Sequence, residues 1–565
     1  MHRDRTRLSE SVFDLCVVGG GIYGASLAWE ATSRGLSVAL VEKSDFASGT
    51  SANSLKTIHG GFRYLQHADF KRMRESIRER RILMRIAPHL VHPLPVVIPL
   101  YQDDPWTRRK ECLTMALALN DLIGFDRNRQ SDPKKHIPRG HIISRRETLE
   151  LLPALEEKGL NGGMVFYDAQ VYNSERLVLC YLRSATELGA VPSNYVEATG
   201  LLRHGDTATG ISARDALTGD NFEVRAHTVV NACGPWVNGA LNSVHGRESF
   251  RQVPFSKAIN LVTPPIFQKY AVGVSSQGRG RDRDTLDQNG DGLFFVSPWR
   301  SRSLVGTRYL PFSGDPEDFQ VNEPEARALL DEFNRALPAA GLRIQDVSLV
   351  HGGLVPSSET VATPSGQRAR HYQILDHRRD GLKGVISVVG VKYTTARDVA
   401  EKVIDLVFEM KGVKPTESLS SATPIYGGEI PRFEPFLQGE IEKKPWGLSE
   451  EVVRRLVFNY GTAYPQVLAH LDDAPGTPLD EVGNLDVVKA EVRHGVREEL
   501  ALRLSDVVFR RTELGSAGHP GAEVLKVCAT VMAAELGWDG ARTRREVQEV
   551  ENRYLFSMTQ SKIRA

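Results

Sequence analysis

Three clusters in this chain carry residue types that could do chemistry together. The first is GGGIYG, with Gly19, Gly21 and Gly24, followed by Glu42, 23 residues after Gly19. Glycines at this spacing allow a tight turn, a close approach of phosphate to the backbone, and close helix–strand packing. A helix beginning there offers free amides and a positive dipole end to a pyrophosphate, and Glu42 is placed to accept hydrogen bonds from a ribose. The second cluster, KSDFASGTSANSLKTIHGGFRY, sets Lys43, Thr50, Ser51, Asn53, Ser54 and Lys56 just downstream of that carboxylate. Short polar groups of this kind can hydrogen-bond a diphosphate and the edge of a large cofactor. The same stretch ends in His59, Arg63 and Tyr64, which could move a proton, hold an anion and donate a hydrogen bond. The third cluster, VGVKYTTARD, places Gly390, Lys392, Thr394 and Thr395 in a turn and the first positions of a helix, where backbone donors could meet a polarised carbonyl.

The elements that must position these groups follow from the apolar pattern. Phe13 to Gly20 reads as a buried strand, the glycine turn opens a helix, and SVALVEK is a second buried strand ending at Glu42. A charged helix is expected from about Asp69 to Ile86, and a more basic helical stretch from Asp103 to Gln130. Gly162 to Tyr172 resembles a strand pair, and Asn173 to Leu188 a helix capped by Asn173 or Ser174. Strands separated by turn residues lead to HTVVNACG, a buried strand ending in Gly234. In a fold binding two nucleotides that strand returns to the cofactor sheet, and Val196 lies near the adenine; an ordinary core strand explains Val196 equally well. From Arg251, medium-length strands with arginine-rich turns suggest a mostly antiparallel substrate domain. Residues 371 to 390 supply a hairpin that delivers the third cluster. From Ser449 onward the apolar spacing is helical.

At 565 residues, with 25% charged and 41% hydrophobic residues, the chain is expected to bury two or three cores. The net charge of +1 gives no reason to expect a nucleic-acid partner. Five cysteines show neither metal-pair spacing nor a disulfide framework. With no signal-like apolar core and no run able to span a bilayer, a cytoplasmic protein is expected, and peripheral contact with the inner face of the membrane stays open.

The stretch from GGGIYG through IHGGFRYLQH resembles the flavin-dependent glycerol-3-phosphate dehydrogenase and oxidase family, as do VVNACGPWV, VGVKYTTARDVAEKVID and EVRHGVREELALRLSDVVFRRT. The resemblance implies an α/β fold of the glycine-oxidase-like, two-nucleotide FAD type, a mostly antiparallel substrate domain and an all-helical C-terminal domain. It implies residues 1–85, 151–250 and 351–412 as parts of the FAD domain, 86–150 and 251–350 as substrate or cap segments, and 413–565 as the helical domain. The implied chemistry is oxidation of a secondary alcohol to a ketone, with a hydride passing to flavin N5 and electrons passing on to quinone or oxygen. Ser51, Ser54 and Lys56 match polar FAD contacts, Arg63 and Tyr64 match the substrate pocket, and Lys392 and Thr395 match the motif beside the isoalloxazine. His59 is the candidate for proton transfer.

The substrate end departs from the family pattern. Val355 stands where the family has a phosphate-binding arginine, Asn260 where it has a pocket histidine, and GTRY replaces GTTD, putting Arg308 beside Thr307. Valine offers neither the charge nor the bidentate hydrogen bonds of a guanidinium. Arg308 is the candidate replacement for anion binding. The first expectation is therefore oxidation of glycerol 3-phosphate or a close polyol phosphate. The alternatives are flavin-dependent oxidation of a non-phosphorylated substrate, or a flavin-binding protein with little turnover. An oligomer stays open.

Overall fold

The computed structural model describes residues 1–102, 110–130, 132–239, 253–275, 293–357, 371–471 and 483–554. The first residues of the helix expected from Asp103 lie outside these; the described helix is Lys110–Ile123.

Two sheets carry the molecule. In the first, five parallel strands run in the order Val385–Val389, Asn221–Asn231, Val12–Val18, Val38–Glu42, Val191–Asn194. Val12–Val18, Val38–Glu42 and Val385–Val389 are nearly continuous apolar runs, as strands covered on both faces require, and Asn221–Asn231 is buried throughout only over Thr228–Asn231. Leu15, Val17, Val38, Leu40 and Val230 are buried with the helices Ile22–Ser33, Ser174–Glu187 and Ala396–Met410. Cys16, Ala39, Val41 and Val229 pack instead with Val196, Ile211 and Ala213 of an antiparallel ribbon. The hairpin of Gln373–Asp376 and Val385–Val389 closes one edge.

The second sheet is mostly antiparallel and runs from Leu349–Pro356 through Phe255–Thr263 and Arg302–Phe312 to Val91–Tyr101 and Leu160–Val171. One pairing in it is parallel, Ala271–Ser275 with Val91–Tyr101. The helix Glu323–Ala336 buries Ala326, Leu329, Leu330 and Phe333 in the core it shares with this sheet. Asn322 caps that helix, its side chain accepting from Glu325 N while the Glu325 carboxylate accepts from Asn322 N.

Two segment assignments need correction. Leu160–Val171, expected in the cofactor domain, is one continuous strand of the second sheet, hydrogen-bonded along its length to Val91–Tyr101. Leu349–Pro356 likewise pairs with Phe255–Thr263 and crosses the expected boundary at 350/351. Apolar alternation specifies a strand but not which sheet edge receives it, and both segments found their edge far away in sequence.

Beyond Val413 the described regular elements are helical, including Phe433–Lys443, Glu450–Tyr460, Gly483–Glu499, Ala522–Leu536 and Gly540–Asn552. Among the described residues no helix is long and apolar enough to cross a membrane.

Candidate functional site

The glycine turn is built as its spacing predicts. Gly19 has φ +109° and its N–H donates to Val41 O at 2.8 Å. A Cβ on Gly24 would stand 1.8 Å from Gly19 O, so a larger residue there forces the helix off the strand. The helix begins at Ile22, with Gly21 as its N-cap residue. Ser51 Oγ accepts from Ile22 N at 3.0 Å, placing one hydroxyl of the second cluster at the helix N-terminus.

A cavity of about 970 Å³ opens over this turn. Gly19, Gly21, Glu42, Lys43, Thr50, Ser51, Ser54, Val196, Gly234, Val355, Gly390 and Lys392 all line it, drawn from segments up to about 370 residues apart in the chain. Glu42 Oε2 accepts from Gly20 N at 2.7 Å and Oε1 from Ser44 N at 2.9 Å. Burial raises its carboxyl above the usual range, and these two bonds work against that. Each oxygen keeps a further lone pair for a ligand hydroxyl. Thr50 Oγ1 donates to Leu354 O at 3.0 Å, tying the loop to the strand that carries Val355.

Tyr23 and Trp236 belong to this site and were passed over in the sequence, although both lie inside quoted motifs. Tyr23 donates to Lys392 O at 2.7 Å and accepts from Lys392 N at 3.2 Å, fixing the third cluster against the first. Its ring approaches so closely that a Cβ on Gly390 would lie 2.1 Å from it. Lys43 stacks its ammonium 4.2 Å over the Trp236 ring and pairs with Glu317.

Beside Lys392, the short 3₁₀ helix Phe62–His67 carries Arg63 and Tyr64, which are not among the residues lining the cavity. Lys392 Nζ lies 3.9 Å over the Tyr64 ring and 3.5 Å from Ser76 Oγ. Burial, and then the neighbouring Arg63 charge, bring the Lys392 ammonium down to about 7. A desolvated lysine beside an arginine is a site that gains from an anion.

His59 faces a partner the sequence did not reveal. Its Nδ1 is 3.0 Å from Asp168 Oδ2, while Asp168 Oδ1 accepts from Gly60 N at 2.6 Å and from Arg80 Nη1 at 3.1 Å. Burial works to raise the Asp168 carboxyl, but the His59 bond, the Arg80 charge and the Gly60 amide hold it below the usual range. An ionised carboxylate only accepts, so Nδ1 carries the proton and a neutral His59 ring presents Nε2 as a base. The side chain is 44% exposed, so Nε2 can be reached.

Several expected residues stand elsewhere. Lys56 is fully buried, and its ammonium donates to Ala52 O, Ser174 Oγ and Glu175 Oε2 at 2.7–2.8 Å. All three of its protons are committed to an internal brace, and it does not line the cavity. Thr394 and Thr395 are buried at the start of the helix Ala396–Met410, with Thr395 in the N-cap position. Asn260 Oδ1 accepts from Thr307 Oγ1 at 2.7 Å, a bond internal to the second sheet. Arg308, next along the strand, instead reaches Glu332 of the helix Glu323–Ala336 at 3.2 Å. Successive side chains alternate faces, so Arg308 belongs to the helix-covered face.

A parallel sheet with a glycine turn, and a cavity over it lined by Glu42 at one strand end and by Lys392, has the form of a dinucleotide-binding site. Residues 14–391 match the FAD dependent oxidoreductase family and 418–543 match the C-terminal domain of alpha-glycerophosphate oxidase, and the chain belongs to this flavoprotein family. It is 31% identical over 560 residues to a glycerol-3-phosphate dehydrogenase of Synechocystis sp., covering 97% of each chain. It is 29% identical to the mitochondrial glycerol-3-phosphate dehydrogenase of Homo sapiens, covering 98% of this chain and 74% of the relative. The solved glycerol-3-phosphate dehydrogenase of Bacillus halodurans, complexed with FAD, superposes with a TM-score of 0.74 at 24% identity, over 97% of this chain and 96% of that one. The protein is an FAD-dependent oxidoreductase related to glycerol-3-phosphate dehydrogenases.

The residues present suit FAD. Trp236 Nε1 is a buried donor without a partner among the described residues, and its ring lines the cavity. Gly19 and Gly21 line the same cavity beside the N-terminus of the helix Ile22–Ser33, where a diphosphate would find free amides.

Proposed function

We propose that the chain oxidises the secondary alcohol of glycerol 3-phosphate, or of a close polyol phosphate, to the ketone. The observation that carries this reading is Lys392, a desolvated cation in the wall of the cofactor cavity with the Arg63 charge near it, placed to receive a phosphate. When bound, FAD supplies the hydride acceptor, N5 of its isoalloxazine ring. Gly19, Gly21 and the N-terminus of the helix from Ile22 hold the diphosphate, and Glu42 accepts from the ribose. Lys392 and Arg63 hold the substrate anion, and Tyr64 fixes the substrate by a hydrogen bond. His59 Nε2 removes the hydroxyl proton, while Asp168 keeps the ring in the right tautomer and stabilises the imidazolium that forms. Val355 in the cavity wall favours a second reading, a substrate without a phosphate.

The electron acceptor we infer is a quinone reached at a membrane surface. The helix Lys110–Ile123 and the turn after it expose Met115, Leu119, Leu122 and Phe125, the first three at helical spacing, and Arg129 and Lys134 are exposed nearby in sequence. Apolar side chains flanked by cations suit an anionic lipid surface. Flotation with vesicles containing phosphatidylglycerol tests this; equal recovery of wild type and Leu122→Asp with the vesicles would remove the support.

The substrate test is anaerobic bleaching of bound flavin by glycerol 3-phosphate, by other polyol phosphates and by unphosphorylated polyols. Fast bleaching by glycerol 3-phosphate is expected. Bleaching only by an uncharged polyol would establish the second reading instead.

A further inference from the structure

The loop leaving Glu42 is gripped by the C-terminal region. Asp45 is 1% exposed, and its Oδ1 accepts from Arg511 Nη2 at 2.7 Å and from Asn194 Nδ2 at 2.9 Å. Its Oδ2 accepts from Arg511 Nη1 at 2.8 Å and also from Arg510. Both arginines sit in a π-helical turn, Val507–Arg511, a local form that recurs at functional positions. Arg510 continues to Asp506 Oδ1 at 2.8 Å, and that same oxygen accepts from the Tyr195 hydroxyl at 2.7 Å. Tyr195 N in turn donates to Ser44 O at 3.0 Å.

Two rungs therefore join one C-terminal turn to both backbone stretches at the ribose end of the cavity. Asp45 follows Glu42 and Ser44, whose N–H orients the Glu42 carboxylate. Tyr195 precedes Val196, which also lines the cavity. Two arginines and two aspartates, all at least 97% buried, make a charge-balanced quartet. Well-packed apolar side chains often stabilise a core as much as such a quartet does, so its retention points to a geometric task.

We propose that this quartet is a positioning device for FAD, by which the C-terminal helical region sets the ribose end of the site through Asp45 and Tyr195. The inference rests on the reading that Glu42 faces the ribose. By linkage the effect runs both ways, so FAD binding also tightens the C-terminal turn.

The test is titration of FAD into apoprotein, followed by flavin fluorescence, for wild type, Asp45→Asn, Tyr195→Phe, Glu42→Gln and the double variants. Asp45→Asn and Tyr195→Phe are expected to weaken FAD binding about tenfold, with turnover lost at low FAD returning when FAD is in excess. Combining Asp45→Asn with Glu42→Gln should give less than the product of the two losses, because both act on one carboxylate. Amide hydrogen exchange over residues 500–511 should slow when FAD binds. FAD affinity within twofold of wild type in both Asp45→Asn and Tyr195→Phe, with exchange indifferent to FAD, would overturn the proposal. Should Asp45→Asn fail to fold, Tyr195→Phe removes one hydroxyl and decides alone. Unchanged affinity in Glu42→Gln, with Asp45→Asn still weakened, would overturn the ribose reading and leave the device acting through Ser44.

Discussion

Raising the pH from 7 to 9 should release the substrate anion from this enzyme. Lys392 is buried beside Arg63 and titrates at about 7, well below an exposed lysine. A base whose pKa is lowered holds its proton only below that value, so the pocket carries the ammonium at pH 6 and loses it as pH rises. About half of the free enzyme is protonated at pH 7 and about one molecule in a hundred at pH 9. If anion binding requires the ammonium, affinity falls about 50-fold across that interval, or about 2.3 kcal/mol. The assay is equilibrium binding of dihydroxyacetone phosphate to the oxidised holoenzyme, read from the flavin absorbance shift between pH 7 and 9.5. Starting at pH 7 keeps the ligand mostly dianionic throughout. Lys392→Arg should bind at a level independent of pH, and Lys392→Met weakly at every pH. A flat profile in wild type would refute the assignment of Lys392 to the anion.

Gly24→Ala should abolish FAD retention, because its Cβ would meet Gly19 O at 1.8 Å; yellow protein after purification would contradict this. Arg63→Ala is expected to lower turnover at least tenfold with FAD content unchanged, checked by the flavin-to-protein absorbance ratio. Asp168→Asn should cost about 100-fold or more in turnover by unsettling the His59 tautomer, and a stopped-flow reduction rate equal to wild type would argue against the base assignment. Lys56→Met leaves the Glu175 carboxylate buried without its cation and should destabilise the fold by about 3–5 kcal/mol, read as a lowered unfolding midpoint.

The cofactor end was legible because its signals are local. Gly19, Gly21, Gly24 and Glu42 span one strand–helix–strand unit, and the turn at Gly390 announces itself by the strand and helix on either side. What could not be read were facts about partners. Lys56 looks like a cofactor contact until Ser174 and Glu175, more than a hundred residues away, and the nearby Ala52 carbonyl take its three protons. Asp168 leaves no sign in the sequence that it will orient His59, since the pairing of Thr57–Ile58 with Leu160–Val171 brings them together. Arg308 failed for a different reason. Counting residues along its strand places it next to Thr307 but does not say which face meets the helix Glu323–Ala336, and the charge there belongs to Glu332.

The order in which the strands enter the first sheet has a consequence for the chain as it is made. Val12–Val18 and Val38–Glu42 emerge from the ribosome early, but the strand that pairs with Val12–Val18 arrives only with Asn221–Asn231, and the far edge with the hairpin of Gln373–Asp376 and Val385–Val389. A nascent chain thus carries a finished nucleotide fingerprint on an open, strongly apolar sheet edge until Asn221–Asn231 is made. At about 5–20 residues per second, the roughly 180 residues between Glu42 and Asn221 keep that edge bare for about 10–35 seconds. Chaperone supply during translation, rather than the stability of the finished enzyme, should therefore limit how much active protein a cell recovers.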